Sequence, residues 1–479
     1  MPELYHAAPA PRPHGPAAAA QRSMRWFAMT LGRNGLASVG LALASCVASP
    51  RELRAPVDHL VELRLGAPLA APLAAQTAPA VDALLAQPLD EAAAVRIALA
   101  QSARLAAALD ELDLAAGDVA AALGLGPVSL DGKLRFGRDY RAYEVDAIQN
   151  LIGLVSAPGR RAAARAELAA ARATAAATAL RLAARVEIAF HDLLAAQQDA
   201  ALQRAAFDAA DAAAAVRERM HAAGNTTALA LARDRDAREQ ARVELGRAEA
   251  AVPARREAVN ALLGLSEGRT QWTTAGELPE LPAQPPALDA LEAVAGTASL
   301  ELAAGRARRD AAERRAADER LRTVLPELGV GVAIADDGHQ TEVGPALRIA
   351  IPVFDVRSGE RARASAQVRR ADHALAASAV ELGAAARTAR ITALAAYDEA
   401  RHLRDVVVPL RQQILDETLK HYNAMDADLF ALIVARRELT AAAHQYVDAS
   451  RRYANAMAET RALARGALLD APATMEDRR

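Results

Sequence analysis

The sequence predicts a mainly α-helical chain with a small β part, in which a strand pair followed by a long helical hairpin occurs twice. Three observations carry this. Gly159, in Ala157-Pro158-Gly159-Arg160-Arg161, is echoed 200 residues on by Gly359 in Arg357-Ser358-Gly359-Glu360-Arg361, and at the same spacing His221 is echoed by His421. Two pairs of short runs alternate apolar and polar residues with period two, and each pair leads into a long Ala-rich stretch with helical spacing. A period this long marks a duplicated domain half rather than a solenoid.

Composition narrows the class. Hydrophobic residues make up 52% of the 479 but aromatics only 3%, so thick globular cores are short of bulky material and close helix packing is favoured. The 57 basic and 59 acidic residues nearly cancel, which gives no support for nucleic acid as a partner. No Gly-rich phosphate loop, Cys-His cluster, His-Glu-x-x-His motif or nucleophile elbow occurs; the expectation is a non-enzyme with no cofactor and no resident metal.

Residues 1–46 read as an N-terminal extension and lipoprotein signal peptide. Arg25 and Arg33 precede the apolar run from Leu36 to Ala44, too short for a membrane span, and Leu43-Ala44-Ser45-Cys46 resembles a bacterial lipobox. Cys46, the one cysteine, is then the lipidated residue. Pro9, Pro11, Pro13 and Pro16 lie before this signal, and residues 1–23 read either as a disordered segment or as an over-long gene start with Met24 or Met29 as the initiator. Residues 47–88, with Pro50, Pro56, Pro68, Pro72, Pro79 and Pro88, read as an extended Pro-rich tether with room for a short helix inside.

The first structural repeat covers 89–277. Asp90 can cap a helix bearing Ile97, Ala98 and Leu105; Val128, Leu130, Leu134 and Phe136 mark a strand, and a weaker return strand is expected near Ile148 to Leu154. No proline interrupts the next helix from about Gly159 to His221, and Leu182, Val186, Phe190 and Leu193 show its spacing. The returning helix ends at Leu262-Leu263-Gly264-Leu265. Residues 278–287 form a Pro-rich linker.

The second repeat, 288–466, opens with Asp289 as a cap and has cleaner strands. Leu328, Val330, Val332 and Ile334 form one run, Leu347, Ile349 and Ile351 the other, with Asp336-Asp337-Gly338-His339 as the turn between. Pro409 predicts a kink in the following helix, and Leu432, Leu439, Ala443, Tyr446 and Tyr453 give coiled-coil spacing on the way back. Residues 467–479 form a C-terminal tail.

Four strands with one apolar face cannot close alone into a membrane barrel, because single-chain barrels begin at about eight strands and lipid tolerates no open edge. Three copies supply about twelve strands. The chain after Cys46 resembles the TolC-type outer membrane factors in its duplicated halves, its strand pairs leading into Gly-Arg-rich helix starts, and Gly344-Pro345-Ala346-Leu347-Arg348-Ile349-Ala350-Ile351-Pro352-Val353-Phe354 followed by Gly359-Glu360-Arg361. The resemblance implies a homotrimer with a 12-stranded β-barrel in the outer membrane continuing into a periplasmic α-barrel. It also implies a passive exit duct that meets a periplasmic adaptor protein and an RND-type inner-membrane transporter, closest in flavour to the heavy-metal and cation efflux members. By position, Gly224, Asn225, Thr226 and Thr227 in one half, and Met425, Asp426 and Asp428 in the other, fall at the helix-to-helix tips, where adaptor contact and gate are expected. Asn225, Asp426 and Asp428 can equally cap the returning helices. Arg160, Arg161, Arg361 and Arg363, where strands become helices, can meet lipid headgroups, line the tunnel or simply face water. The rival reading is a periplasmic, lipid-anchored coiled-coil adaptor, which ordinarily carries one hairpin rather than two.

Overall fold

The computed structural model describes residues 49–66, 74–122, 128–136, 141–266, 268–324, 327–337, 339–350 and 358–469. Cys46, Tyr140, Gly338 and Pro352-Val353-Phe354 lie outside them. The elements run α1 (Pro50–Leu65), α2 (Ala74–Leu85), α3 (Glu91–Gln101), α4 (Ala103–Ala121), β1 (Val128–Phe136), β2 (Arg141–Asn150), α5 (Leu151–Ala222) and α6 (Ala228–Leu263). The second half adds α7 (Leu291–Ala298), α8 (Leu300–Val324), β3 (Glu327–Asp336), β4 (Thr341–Ala350), α9 (Ser358–His402), a π-helical turn (Leu403–Val407), α10 (Val408–Asn423) and α11 (Leu429–Ala464).

The stretch read as a tether contains α1 and α2. Val57, Val61 and Val81 are buried in the main core with Leu89, Ile97, Val186, Phe190 and Trp272, so burial of one apolar side overrides the prolines within both helices. Asp90 caps α3, its carboxylate accepting from the Ala93 N–H at 2.6 Å. Asp289 does not cap: α7 has no side-chain cap bond, and Asp289 pairs with Arg390 of α9 instead.

The return strand of the first half lies earlier than the sequence pattern predicted, at Arg141–Asn150. Tyr143, Val145 and Ala147 alternate there with Glu144, Asp146 and Ile148, and the Asn150 side chain accepts from the Ile152 N–H at 2.9 Å, turning the chain into helix at Leu151. Thus α5 starts eight residues before Gly159 and carries Pro158 within it. Arg160 donates to the Gly153 carbonyl at 2.8 Å in the turn that Pro158 interrupts. At 72 residues α5 is about 108 Å long.

Hairpin α5–α6 packs on the second hairpin through α5 and α11, while α8 lies between α5 and α9. The seam of α11 is narrower than Leu432 and Leu439 implied. Ala435, Ala442, Ala449 and Ala456 are buried at heptad spacing, with Leu432 and Leu439 only half-buried beside them, while Tyr453 is buried as its spacing predicted. Small side chains at these positions let the helix axes approach closely. Gly264 ends α6 in the left-handed conformation (φ 70°), as Leu262-Leu263-Gly264-Leu265 predicted, and a side chain there would press on the Gln101 carbonyl. Residues 278–287 run extended but anchored: Leu278 and Leu281 are buried, the Pro282 carbonyl accepts from the Tyr397 hydroxyl (3.2 Å), and the Leu281 carbonyl accepts from Arg404 (3.0 Å).

The two strand hairpins share one register. Phe136 pairs with Arg141 and Asp336 with Thr341, so the halves correspond at an offset of 200 through the sheet. At the tips the offset is 201: the helix-ending residues are Ala223 and Ala424, and the caps of the returning helices are Thr227 and Asp428. The π-helical turn of the second half lies between these points, just before Pro409. A π turn holds one residue more than an α turn, which accounts for the difference. The kink expected at Pro409 is thus a π turn, with Pro409 in the first turn of α10, where its missing N–H costs nothing.

Candidate channel wall and helix tips

The four strands form one antiparallel meander in the order β1-β2-β3-β4. Residues directly opposite share a face, so the register sorts every side chain. One face carries Val128, Leu130, Leu134 and Phe136 of β1, Tyr143, Val145 and Ala147 of β2, Val330, Val332 and Ile334 of β3, and Val343, Pro345, Leu347 and Ile349 of β4. Leu130 and Phe136 are each 73% exposed. The other face carries Asp131, Lys133, Arg135, Glu144, Asp146 and Arg348, tied by Lys133–Glu144 (3.4 Å), Arg135–Glu144 (3.9 Å) and an Arg348–Asp131 pair.

That arrangement is upside down for a water-soluble sheet, which turns its apolar face inward. It suits a wall with lipid on one side and water on the other. Strands of nine or ten residues match a tilted bilayer crossing. Among the described residues β1 and β4 have no outer neighbour, so the wall has two open edges. The face opposite the apolar one is narrow on β3, where Gly329, Gly331, Ala333 and Ala335 follow one another. Gly331 sits so close to the Ala147 carbonyl that no side chain fits, and the sheet curls toward its charged face enough for Arg348 of β4 to reach Asp131 of β1. Phe136 and Tyr143 lie at one end of the apolar face, beside the β1–β2 turn.

Among the described residues no single helix is long and apolar enough to cross a membrane.

At the far ends of the long helices lie the two tips. In the first, Gly224 takes φ 76°, the Asn225 N–H donates to the Met220 carbonyl (2.8 Å), and Thr227 caps α6 by accepting from Ala230 (3.2 Å). In the second, Met425 takes φ 64°, the Asp426 N–H donates to the His421 carbonyl (2.9 Å), and Asp428 caps α11 by accepting from Ala431 (2.8 Å). Of the candidate caps, Asp428 holds that place; Thr227 holds it in the first half in place of Asn225. Thr226 takes a different task, its hydroxyl accepting from Arg217 at 3.2 Å.

The one-residue slip also corrects the pairing of the histidines. His421 corresponds to Met220, and His221 to Tyr422. His421 Nδ1 lies 2.8 Å from Asp426 Oδ2, whereas His221 Nδ1 meets the Thr226 backbone carbonyl at 3.1 Å. Asp426 remains largely exposed, and Met425 is 95% exposed at the apex.

The first tip is held from inside in a way the sequence did not reveal. Arg217 Nε donates to Asp234 at 2.6 Å, with the two side chains only 11% and 3% exposed. The corresponding positions in the second half are Thr418 and Ala435, and α10 buries no residue at all. Charged residues at helical spacing read as a solvated face in sequence, so neither partner carried a signal. A second internal network also went unseen. Glu187, 5% exposed, accepts from Arg461 (2.8 Å) and Arg465 (3.2 Å), while His191 Nε2 lies 3.0 Å from Glu91. The His191 hydrogen bond holds the Glu91 carboxyl below its ordinary value, against the opposing effect of burial.

No family model and no curated protein matches this chain. Solved structures do. A membrane protein from Pseudomonas aeruginosa aligns with TM-score 0.67 at 19% identity, over 78% of this chain and 90% of that one. The outer membrane protein VceC from Vibrio cholerae aligns with TM-score 0.64 at 17% identity, over 78% and 95%. The CmeC outer membrane channel of Campylobacter jejuni aligns with TM-score 0.64 at 13% identity, over 80% and 87%. The chain has the fold of TolC-type outer membrane channels, as the residue-level resemblance implied.

Proposed function

We propose that this chain is the outer membrane channel of a tripartite efflux system, a passive exit duct assembled from three copies. The observation that carries the reading is the inverted sheet. An exposed apolar face, a charged opposite face and, among the described residues, two free edges describe one third of a twelve-stranded barrel, and β2 continues directly into a helix about 108 Å long. In a closed ring, the charged face of the sheet lines water and the apolar face meets outer membrane lipid. Edge β1 of one copy then pairs with β4 of the next.

The tips are the parts that meet a periplasmic adaptor protein, itself held by an RND-type inner-membrane transporter. Gly224, Asn225, Thr226 and Thr227 present a small polar surface, and Met425, Asp426 and Asp428 an apolar knob beside two carboxylates. Threefold repetition of Asp426 makes an acidic ring, which favours cations at the mouth. Asp428 doubles as the cap of α11, accepting from Ala431, whereas Asp426 meets the His421 ring and stays largely exposed. Cys46 anchors the chain by lipidation.

Outer membrane fractionation with heat-sensitive trimer migration on gels tests the assembly; a monomeric, salt-extractable protein refutes it. Single-channel conductance tests the mouth, where Asp426→Ala lowers cation preference and Asp428→Ala chiefly loosens the tip. Equal ion preference in the wild type and Asp426→Ala removes the acidic ring from the reading. Acyl labelling lost in Cys46→Ala checks the anchor.

A further inference from the structure

Along α8 there are seven arginines against five acidic residues, and no lysine. Between α8 and α9 lie two cavities in sequence order, one of 750 Å³ bordered also by α5 and one of 500 Å³ nearer the sheet. Their floor is alanine: Ala304, Ala312 and Ala316 of α8 are buried there. Their rim is guanidinium, with Arg308, Arg315 and Arg320 on α8 and Arg361 and Arg370 on α9.

Most nearby carboxylates are already engaged. Asp310 pairs with Arg314, Glu313 and Asp372 with Arg309, Asp318 with Arg322, and Glu167 with Arg315. The one carboxylate lining the groove, Glu301, sits at the end away from the sheet and accepts from the Leu468 N–H (3.1 Å). Arg320 and Arg370 have no ion pair or hydrogen bond among the described residues. A cationic rim over an apolar floor is complementary to an anionic amphiphile, since phosphate oxygens match the guanidinium fork and an acyl chain needs only small apolar contacts. Arg320 lies four residues before the end of α8, about 6 Å of helix, and Arg361 lies in the first turn of α9. In the orientation of the proposed barrel, that is headgroup depth for the leaflet facing the helices.

We infer that the α8–α9 groove binds anionic phospholipids through their phosphates, with Arg320 as the free cationic contact of the cavity nearer the sheet and Arg370 as that of the other. The inference rests on the channel reading for its source of lipid. It concerns phosphate recognition, which a free phosphate-bearing solute would share, and the test separates the two.

The full-length protein in neutral detergent is titrated with phosphatidylglycerol, phosphatidylethanolamine and inorganic phosphate, and bound lipid is counted by native mass spectrometry. Phosphatidylglycerol is retained about tenfold more tightly than phosphatidylethanolamine, and Arg320→Gln/Arg370→Gln removes about tenfold of that affinity. Arg242→Gln/Arg247→Gln, on exposed α6, leaves it unchanged. Equal retention of the two lipids, or an unaltered affinity in Arg320→Gln/Arg370→Gln, overturns the inference. Displacement of phosphatidylglycerol by millimolar inorganic phosphate makes it a solute site and overturns the lipid assignment. Planar-bilayer conductance of the same samples is read separately: absent conductance in the wild type counts against the channel, whereas full conductance without lipid preference counts against this groove alone.

Discussion

Removing Asp234 isolates the internal lock of the first tip. The carboxylate is 3% exposed and accepts from Arg217 Nε at 2.6 Å, while the same guanidinium donates to Thr226 at 3.2 Å. Asp234→Ala therefore leaves a guanidinium, itself only 11% exposed, without its counter-charge. Breaking a buried pair from one side costs about 3–5 kcal/mol. The lost energy is local, since Arg217 and Asp234 join only the ends of α5 and α6. Amide hydrogen exchange read between Val216 and Arg235 should accelerate by roughly two to three and a half orders of magnitude, at about 1.4 kcal/mol per tenfold, with the α10–α11 tip unchanged. The double variant Arg217→Met/Asp234→Leu keeps the volume and removes both charges, so it should recover most of the protection. Exchange in Asp234→Ala within about threefold of wild type, or a double variant as unprotected as the single, refutes the reasoning.

Three further expectations rest on other parts of the molecule. Met425→Gly should stabilise the second tip by about 1 kcal/mol, because Met425 holds φ 64° with its side chain 95% exposed, and glycine takes that conformation freely; slower exchange around Ala424 checks it, and faster exchange contradicts it. Gly331→Val should prevent sheet formation, since a side chain there meets the Ala147 carbonyl, and the heat-sensitive oligomer should vanish while helical circular dichroism persists. Glu91, whose carboxyl is held below the ordinary 4.5 by His191, contributes stability that is fully present above that value and is lost as pH falls through its lower folded value. Thermal midpoints measured from pH 6 to pH 3 should therefore fall less steeply in Glu91→Gln than in the wild type; parallel curves would falsify the assignment.

Period-two alternation made β1, β3 and β4 legible because each run sets apolar against small or polar residues, with only Gly132 breaking the apolar row of β1. β2 was misplaced because Ile148 and Leu151 to Leu154 look like a strand continuing, whereas Ile148 belongs to the charged face and the Asn150 cap ends the strand. The tips were legible in position but not in alignment. His221 and His421 match by letter, yet an extra residue upstream shifts the second by one, and nothing in the letters around Leu403–Val407 except Pro409 marks where it entered. The seam of α11 misled in the opposite direction, since large residues draw attention while Ala435, Ala442 and Ala449 make the contact. Arg217–Asp234 and Glu187–Arg461 were invisible for a general reason: long-range ion pairs depend on which helices become neighbours, and single-helix spacing does not contain that information.

The π turn bears on how two copies of one ancestral unit can drift apart. One residue added to an α-helix turns everything beyond it by about 100° and pushes it outward by about 1.5 Å. Such a rotation would swing Asp426 and Met425 away from the direction in which Asn225 and Gly224 point. A widened turn takes up the added residue where it enters, so the distal helix keeps its rotational phase. The tip sequence is then free to change its chemistry without changing its aim, and the six ends of the proposed trimer would keep a hexagonal arrangement although only every second end carries an acid.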